Sequence, residues 1–259
     1  VGRVDETPSR NFSSILIVAP SWIGDTILAQ PLLTRLKQKH PDLAIDVLAP
    51  AWCAPLLARM SEVRRVLDNP FAHGEFNLAG RWRLGRELRD QAYAAAIVLP
   101  NSWKSALLPF FAGIPMRIGY TGEARYGLLN CRHCLNPETL PQLAQRYAQL
   151  AELPEATADN PLPLPHLNSS ASQQSKVRET LGLPLEAQPA VFCPGAEYGP
   201  AKRWPARHFA ELAQRLAQPG APVWLVGSNK DAALGDEIAQ LAQGAALNLC
   251  GRTTLEQAI

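Results

Sequence analysis

Apolar positions fall into two recurring patterns along this chain: short continuous runs, and longer stretches with helical spacing. Ile15-Leu16-Ile17-Val18-Ala19 is apolar at every position, as a parallel strand buried on both faces requires. The run stops at Pro20. After the loop Ser21 to Asp25, residues Ile27, Leu28, Leu32, Leu33 and Leu36 recur at helical spacing. The same reading predicts strands over 45–48, 63–67, 95–99 and 117–120, and helices over 53–60, 81–90 and 105–111. Strand and helix alternate throughout, the signature of a doubly wound parallel α/β sheet.

Between Leu153 and Pro165 the composition changes to Pro154, Pro161, Pro163 and Pro165 among small and acidic residues, an inter-domain linker pattern. Alternation then restarts, with strands over 191–193, 223–226 and 247–249 and helices over 205–216 and 230–241. Thr254 with Gln257 three residues on reads as a capping box opening another helix. Three strands are half of a doubly wound sheet, so the second domain is expected to be incomplete in this chain. The resulting division is a flexible leader over 1–14, a first Rossmann-like domain over 15–152, a linker over 153–170 and a second Rossmann-like domain over 171–259. Such pairs bind ligands in the cleft between them, at the carboxyl ends of the strands.

Composition narrows the function classes. With 47% apolar and 19% charged residues, the 259-residue chain is neither disordered nor fibrous. No stretch approaches the ~20 apolar residues of a membrane span, and the polar start is no signal peptide, so a soluble, cytosolic protein is expected. Five scattered cysteines argue for reduced thiols rather than a disulfide scaffold. Cys131-Arg-His-Cys134 lacks the second pair a zinc site needs, and its surroundings read as loop. The net charge of +2 is unevenly placed. Residues 1–150 hold 17 Lys/Arg against 12 Asp/Glu, while 151–259 hold 8 against 11. The first half therefore faces something anionic, yet lacks the dense basic stripes of a nucleic-acid protein.

Four loops are candidates for chemistry. Pro20 to Asp25 follows the first strand, with Gly24 permitting close backbone approach and Asp25 at the start of a helix; Asp25 serves either the chemistry or the helix dipole. Pro194 to Pro205 combines Gly195, Ala196, Gly199, Lys202, Arg203 and Trp204 before a helix beginning at proline, a good pyrophosphate site or else a solvated basic turn. Gly227, Ser228 and Asp231 follow the next strand, where a ribose is often met; Asp231 fits a helix start equally well. Asn101 and Lys104, with Arg117, Arg125, Arg81, Arg83 and Arg86, make a basic face for a phosphorylated partner, most of those arginines being ordinary surface. There is no G-x-G-x-x-G, P-loop, D-x-D, G-x-S-x-G or H-E-x-x-H. What remains is a metal-free, cation-assisted pyrophosphate site opposite one carboxylate. That fits glycosyl transfer from a nucleotide sugar, with Asp25 as base and Lys202 neutralising the leaving diphosphate.

At these loops the chain resembles the ADP-heptose:lipopolysaccharide heptosyltransferases, and most their type II branch. The segments are Ala19-Pro-Ser-Trp-Ile-Gly-Asp25, Ala49-Pro-Ala-Trp-Cys53, Leu99-Pro-Asn-Ser-Trp-Lys-Ser105, Pro109-Phe-Phe-Ala-Gly-Ile-Pro115, Arg125-Tyr-Gly-Leu-Leu-Asn130 and Cys193-Pro-Gly-Ala-Glu-Tyr-Gly-Pro-Ala-Lys-Arg-Trp-Pro205. The resemblance spans residues 15–259. It implies a GT-B fold and an inverting enzyme that needs neither metal nor cofactor. The donor is ADP-heptose, and the acceptor is the first heptose of the inner core on Kdo2-lipid A, at the cytosolic face of the inner membrane. It implies Asp25 as base and Lys202 as diphosphate ligand, with the Gly227 to Asp231 loop in the nucleotide region. Trp22, Asn101, Lys104, Arg117 and Arg125 are expected to meet the anionic acceptor. The rival readings are a sister transferase with a type I acceptor and a non-catalytic nucleotide-sugar-binding module.

Overall fold

The computed structural model describes residues 13–72, 74–156, 161–196 and 200–259. Most of the expected 1–14 leader, positions 157–160 of the expected linker and Gly199 of the pyrophosphate loop lie outside the described residues. The chain forms two compact units that divide between Asn168 and Ser169.

In the first unit six strands, β1 (Ser14–Val18), β2 (Ala44–Ala49), β3 (Val63–Asp68), β4 (Ala95–Val98), β5 (Met116–Tyr120) and β6 (Cys131–His133), form one sheet. Their order is β3-β2-β1-β4-β5-β6, and every neighbouring pair is parallel. The order reverses between β1 and β4, where open α/β sheets take their ligands. Helices α1 (Ile23–Leu28), α2 (Gln30–Lys39), α3 (Ala54–Leu57), α4 (Leu78–Arg89), α5 (Trp103–Phe111) and α6 (Leu143–Gln149) complete this unit. Leu16, Val18, Leu48, Ala96 and Val98 form a core with Leu88 of α4 and Leu108 of α5. Ile15 and Ile17 alternate with them, point to the opposite face and are equally buried. Each large aliphatic side chain withdrawn in this way contributes about 1.5–3 kcal/mol.

One helix expected through Ile27 to Leu36 is two, because Pro31 near the start of α2 has no N–H to continue the ladder. Cys131–His133 is an edge strand rather than the loop expected there, paired with Ile118 to Tyr120 of β5. Three residues of mixed polarity carry too little periodic signal to announce it. The β2–β3 register shifts between Ile45 and Asp46, so that Ile45 pairs with Val63 and Asp46 with Arg65. That irregularity lets two consecutive arginines reach one carboxylate. Asp46 has no exposed side-chain surface and accepts from Arg64 (2.8 Å, twice), Arg65 (2.5 Å) and the Tyr93 hydroxyl (2.6 Å). These bonds outweigh the burial that opposes them and hold its pKa down to about 2.

The described part of the expected linker is fastened to the first unit. The Gln30 side chain donates to the His166 carbonyl (2.7 Å) and accepts from the His166 N–H (2.9 Å), and the Asn168 N–H donates to the Arg59 carbonyl (2.8 Å).

The second unit opens with α7 (Ala171–Leu181), capped by a reciprocal Ser170–Gln173 box and closed by Gly182 in the left-handed region. Strands β7 (Ala190–Phe192), β8 (Val223–Leu225) and β9 (Ala246–Asn248) form a parallel sheet in that order. Helices α8 (Ala206–Leu216) and α9 (Ala232–Leu241) supply Ala210, Ala213 and Ile238 to a core with Val223 and Leu225. The Thr254–Gln257 box is formed and opens α10 (Leu255–Ala258). Among the described residues no helix is long and apolar enough to cross a membrane.

Candidate active site

At the carboxyl ends of β1 and β4, in the first unit, lies an open cleft of about 740 Å³. Asp25, Trp22, Asn101, Trp103, Lys104 and Tyr147 are among its lining residues. Asp25 is the third residue of α1, and the loop before it is pinned at two points. The Trp52 indole donates to the Ser21 carbonyl (2.8 Å), and the Thr26 hydroxyl donates back to the Trp22 carbonyl (2.9 Å). Asp25 itself makes no hydrogen bond or ion pair among the described residues. It is half-buried, and burial raises its pKa above the ordinary carboxylate value. A fixed, unpartnered carboxylate of raised pKa in a cleft is equipped to take a proton. The space beside Gly24 is open, with nothing within 4 Å of where a Cβ would stand. Trp22 and Trp103, each 41% exposed, present large apolar surfaces in the same cleft.

Not every cation expected to meet an acceptor does so. Arg125 is 1% exposed, and its guanidinium donates to the carbonyls of Pro100 (2.7 Å) and Tyr120 and to the Asn101 side chain (3.3 Å). Burial lowers its pKa to about 10. Arg117 donates to the Leu128 and Ile114 carbonyls (2.6 and 2.7 Å) and lies over the Phe110 ring. Both guanidinia are committed to backbone oxygens, which corrects the expectation that they face a ligand. Arg81 lines the cleft together with Lys104, but it is buried over the Phe71 ring and its guanidinium donates to the carbonyls of Glu75, Phe76 and Lys104.

What Arg125 does instead is brace the loop that carries Asn101. The loop after β5 lies against the loop after β4, and a Cβ on Gly122 would stand 2.9 Å from the Asn101 carbonyl oxygen. The Glu123 carboxylate accepts the Trp103 N–H (2.9 Å) at the start of α5. Glu123 and Ala124 both hold left-handed backbone (φ 41° and 50°), strain that such a clasp must offset.

In the second unit the loops after β7, β8 and β9 converge around Asp231. Its carboxylate accepts from the Ser228 N–H (2.9 Å) and hydroxyl (2.7 Å). A Cβ on Gly195 would meet it at 2.3 Å, and one on Gly227 at 3.0 Å. Asp231 thus ties two glycine loops together, and the two glycines are there because the carboxylate fills their side-chain space. Lys202 and Arg203 are exposed, and Arg203 donates to the Ala196 carbonyl (3.2 Å). Trp204 stacks on His208 and meets Phe209 edge-on, with centroids 5.4 and 4.9 Å away.

Tyr147 is a cleft residue that sequence reasoning missed. Its signal was present: Leu143, Tyr147 and Leu150 recur at i, i+4 and i+7 along α6 and its C-cap.

Residues 81–259 match glycosyltransferase family 9 (heptosyltransferase). The lipopolysaccharide heptosyltransferase 2 proteins of Salmonella typhimurium and Escherichia coli K12 are each 46% identical over 254 residues, covering 95% of this chain and 73% of theirs. The structure of E. coli ADP-heptose lps heptosyltransferase II superposes with a TM-score of 0.85 at 44% identity, over 95% of this chain and 75% of that one. The parallel α/β architecture and the family resemblance expected from the sequence are both borne out. The chain belongs to glycosyltransferase family 9, the heptosyltransferases.

Proposed function

We propose that the chain transfers L-glycero-D-manno-heptose from ADP-heptose to the first heptose of the lipopolysaccharide inner core. The observation that carries this reading is the Asp25 carboxylate, pinned, half-buried and unpartnered in the switch-point cleft of the first unit. Relatives 46% identical that are lipopolysaccharide heptosyltransferase 2 proteins support the reaction class. In the reaction the acceptor hydroxyl oxygen attacks the anomeric carbon on the face opposite the diphosphate. Its proton passes to Asp25 as the new C–O bond forms. The bond to the diphosphate breaks, and ADP leaves with the electron pair.

The pyrophosphate subsite is assigned to the Gly195–Ala196 backbone with Lys202 and Arg203, whose charge balances the leaving group. Trp204 borders it, and Gly227, Ser228 and Asp231 hold its shape. Gly24 gives the donor room beside α1. Trp22, Asn101 and Lys104 are assigned to the acceptor, a glycolipid whose anionic groups suit the excess of Lys and Arg over residues 1–150. Such an acceptor places the enzyme in the cytoplasm, in peripheral contact with the inner membrane surface.

The test is ADP release in the presence of ADP-heptose and mono-heptosylated Kdo2-lipid A. Release is expected to need the acceptor, and Asp25→Asn is expected to lower turnover by about 10²–10⁴-fold with ADP-heptose affinity nearly intact. Turnover that survives the substitution removes Asp25 from the mechanism. Preference for the acceptor lacking heptose would instead assign the type I reaction.

A further inference from the structure

Three tyrosines of the first unit are buried, and two of them use their hydroxyls within the protein. Tyr93 donates to Asp46 at 2.6 Å, and Tyr120 donates to the Arg146 carbonyl at 2.7 Å. Tyr147 differs. It is 6% exposed, and its hydroxyl makes no hydrogen bond to the described residues, although the side chain lies in the lining of an open cleft. It lines the same cleft as Asp25, on a helix packed against α1. Burial, and secondarily the Asp25 charge, push its pKa upward, so it stays a neutral O–H donor. A hydroxyl that opens into a cleft and meets no protein acceptor keeps its proton available for a bound ligand. A phenol built to serve Asp25 would already be bonded to it, and no such bond is present.

Resting on the heptosyl-transfer reading above, we propose that Tyr147 orients the acceptor sugar. Its O–H donates to an oxygen beside the attacking hydroxyl, leaving that hydroxyl's own proton directed at Asp25. The ligand it selects is a polyol sugar with neighbouring oxygens. An apolar or singly hydroxylated acceptor offers it nothing.

Tyr147→Phe keeps the ring and removes the hydroxyl alone. The expected result is a rise of about 10- to 100-fold in the Kd of the de-acylated acceptor oligosaccharide, followed by tryptophan emission and needing no turnover. The kcat/KM for acceptor falls in step, while the KM for ADP-heptose stays within about twofold. The melting temperature holds, because no hydrogen bond within the protein is lost, whereas Tyr120→Phe removes one and lowers it. An acceptor Kd within about twofold of wild type overturns the proposal, as does a fall in melting temperature matching that of Tyr120→Phe. A wild-type chain that binds the acceptor without turnover counts against the proposed reaction alone, the ratio of Kd values still deciding Tyr147. A wild-type chain that does not bind it overturns both.

Discussion

Replacing Arg125 with methionine should damage the protein in two separable ways. The buried guanidinium donates to the Pro100 and Tyr120 carbonyls, with a weaker third bond to Asn101. Net contributions of about 1.5–3 kcal/mol for each charge-assisted bond put the two stronger ones at about 3–6 kcal/mol. The fall of its pKa from 12.5 to about 10 means that holding the cation there costs about 3 kcal/mol, which pulls the net toward the low end. A loss of about 3 kcal/mol is therefore expected, a fall of about 6–12 °C in melting temperature for a unit of this size. Calorimetry reads that number directly. The second effect is on Asn101, whose loop loses its brace. A displacement of about 1 Å can cost about 10²-fold in rate, so the acceptor kcat/KM should drop while ADP-heptose binding holds. Arg125→Lys keeps the charge but not the fork, and should fall between wild type and methionine. A methionine variant melting within about 2 °C of wild type, with unchanged acceptor kinetics, would refute the bracing argument.

Asp46 sets a pH dependence. Its folded pKa of about 2 lies below the unfolded value of 3.8, so about 2 kcal/mol of stability is present above pH 4 and disappears as pH falls toward 2. Urea midpoints should show that slope in wild type and lose it in Asp46→Asn; identical slopes would contradict the assignment. Gly195→Ala places a methyl 2.3 Å from the Asp231 carboxylate. ADP affinity, measured by calorimetry, should then drop at least about 10-fold with acceptor KM unchanged. Lys104→Ala should raise acceptor KM several-fold at low salt. That difference should shrink toward 1 M, where screening acts over about 3 Å.

Strands buried on both faces were legible from short, β-branched apolar runs such as Ile15 to Ala19, stopped by Pro20. The helices with one apolar stripe, α4 and α8 among them, were legible from their helical period. α7 was not: it buries no residue, and only its ends, the Ser170–Gln173 box and Gly182, marked it in the sequence. β6 exists because β5 offers it a free edge, a tertiary fact absent from Cys131-Arg-His read alone. The candidate loops were legible from glycine, proline and charge. The orientation of a side chain was not, and so the sequence cannot tell Arg125, which holds a loop, from Lys104, which lines the cleft. Asp231 shows the same limit: its bonds to Ser228 follow from spacing, but its filling of the Gly195 and Gly227 vacancies needs β7 and β8 paired.

The strand order also carries a timetable. β1 pairs with β2 about thirty residues on, as in Ile15 with Ile45, but its other neighbour begins at Ala95. At about 5–20 residues per second, the ribosome takes several seconds to deliver that partner after β1 emerges, and still longer to deliver Arg125. Through that interval one edge of the most apolar strand in the unit stands open, the situation in which parallel sheets are slow and prone to wrong pairing. The cleft lies between β1 and β4, so the chemistry of this unit cannot precede their docking. Asp25 is made early, yet it must wait for the far side of its own site.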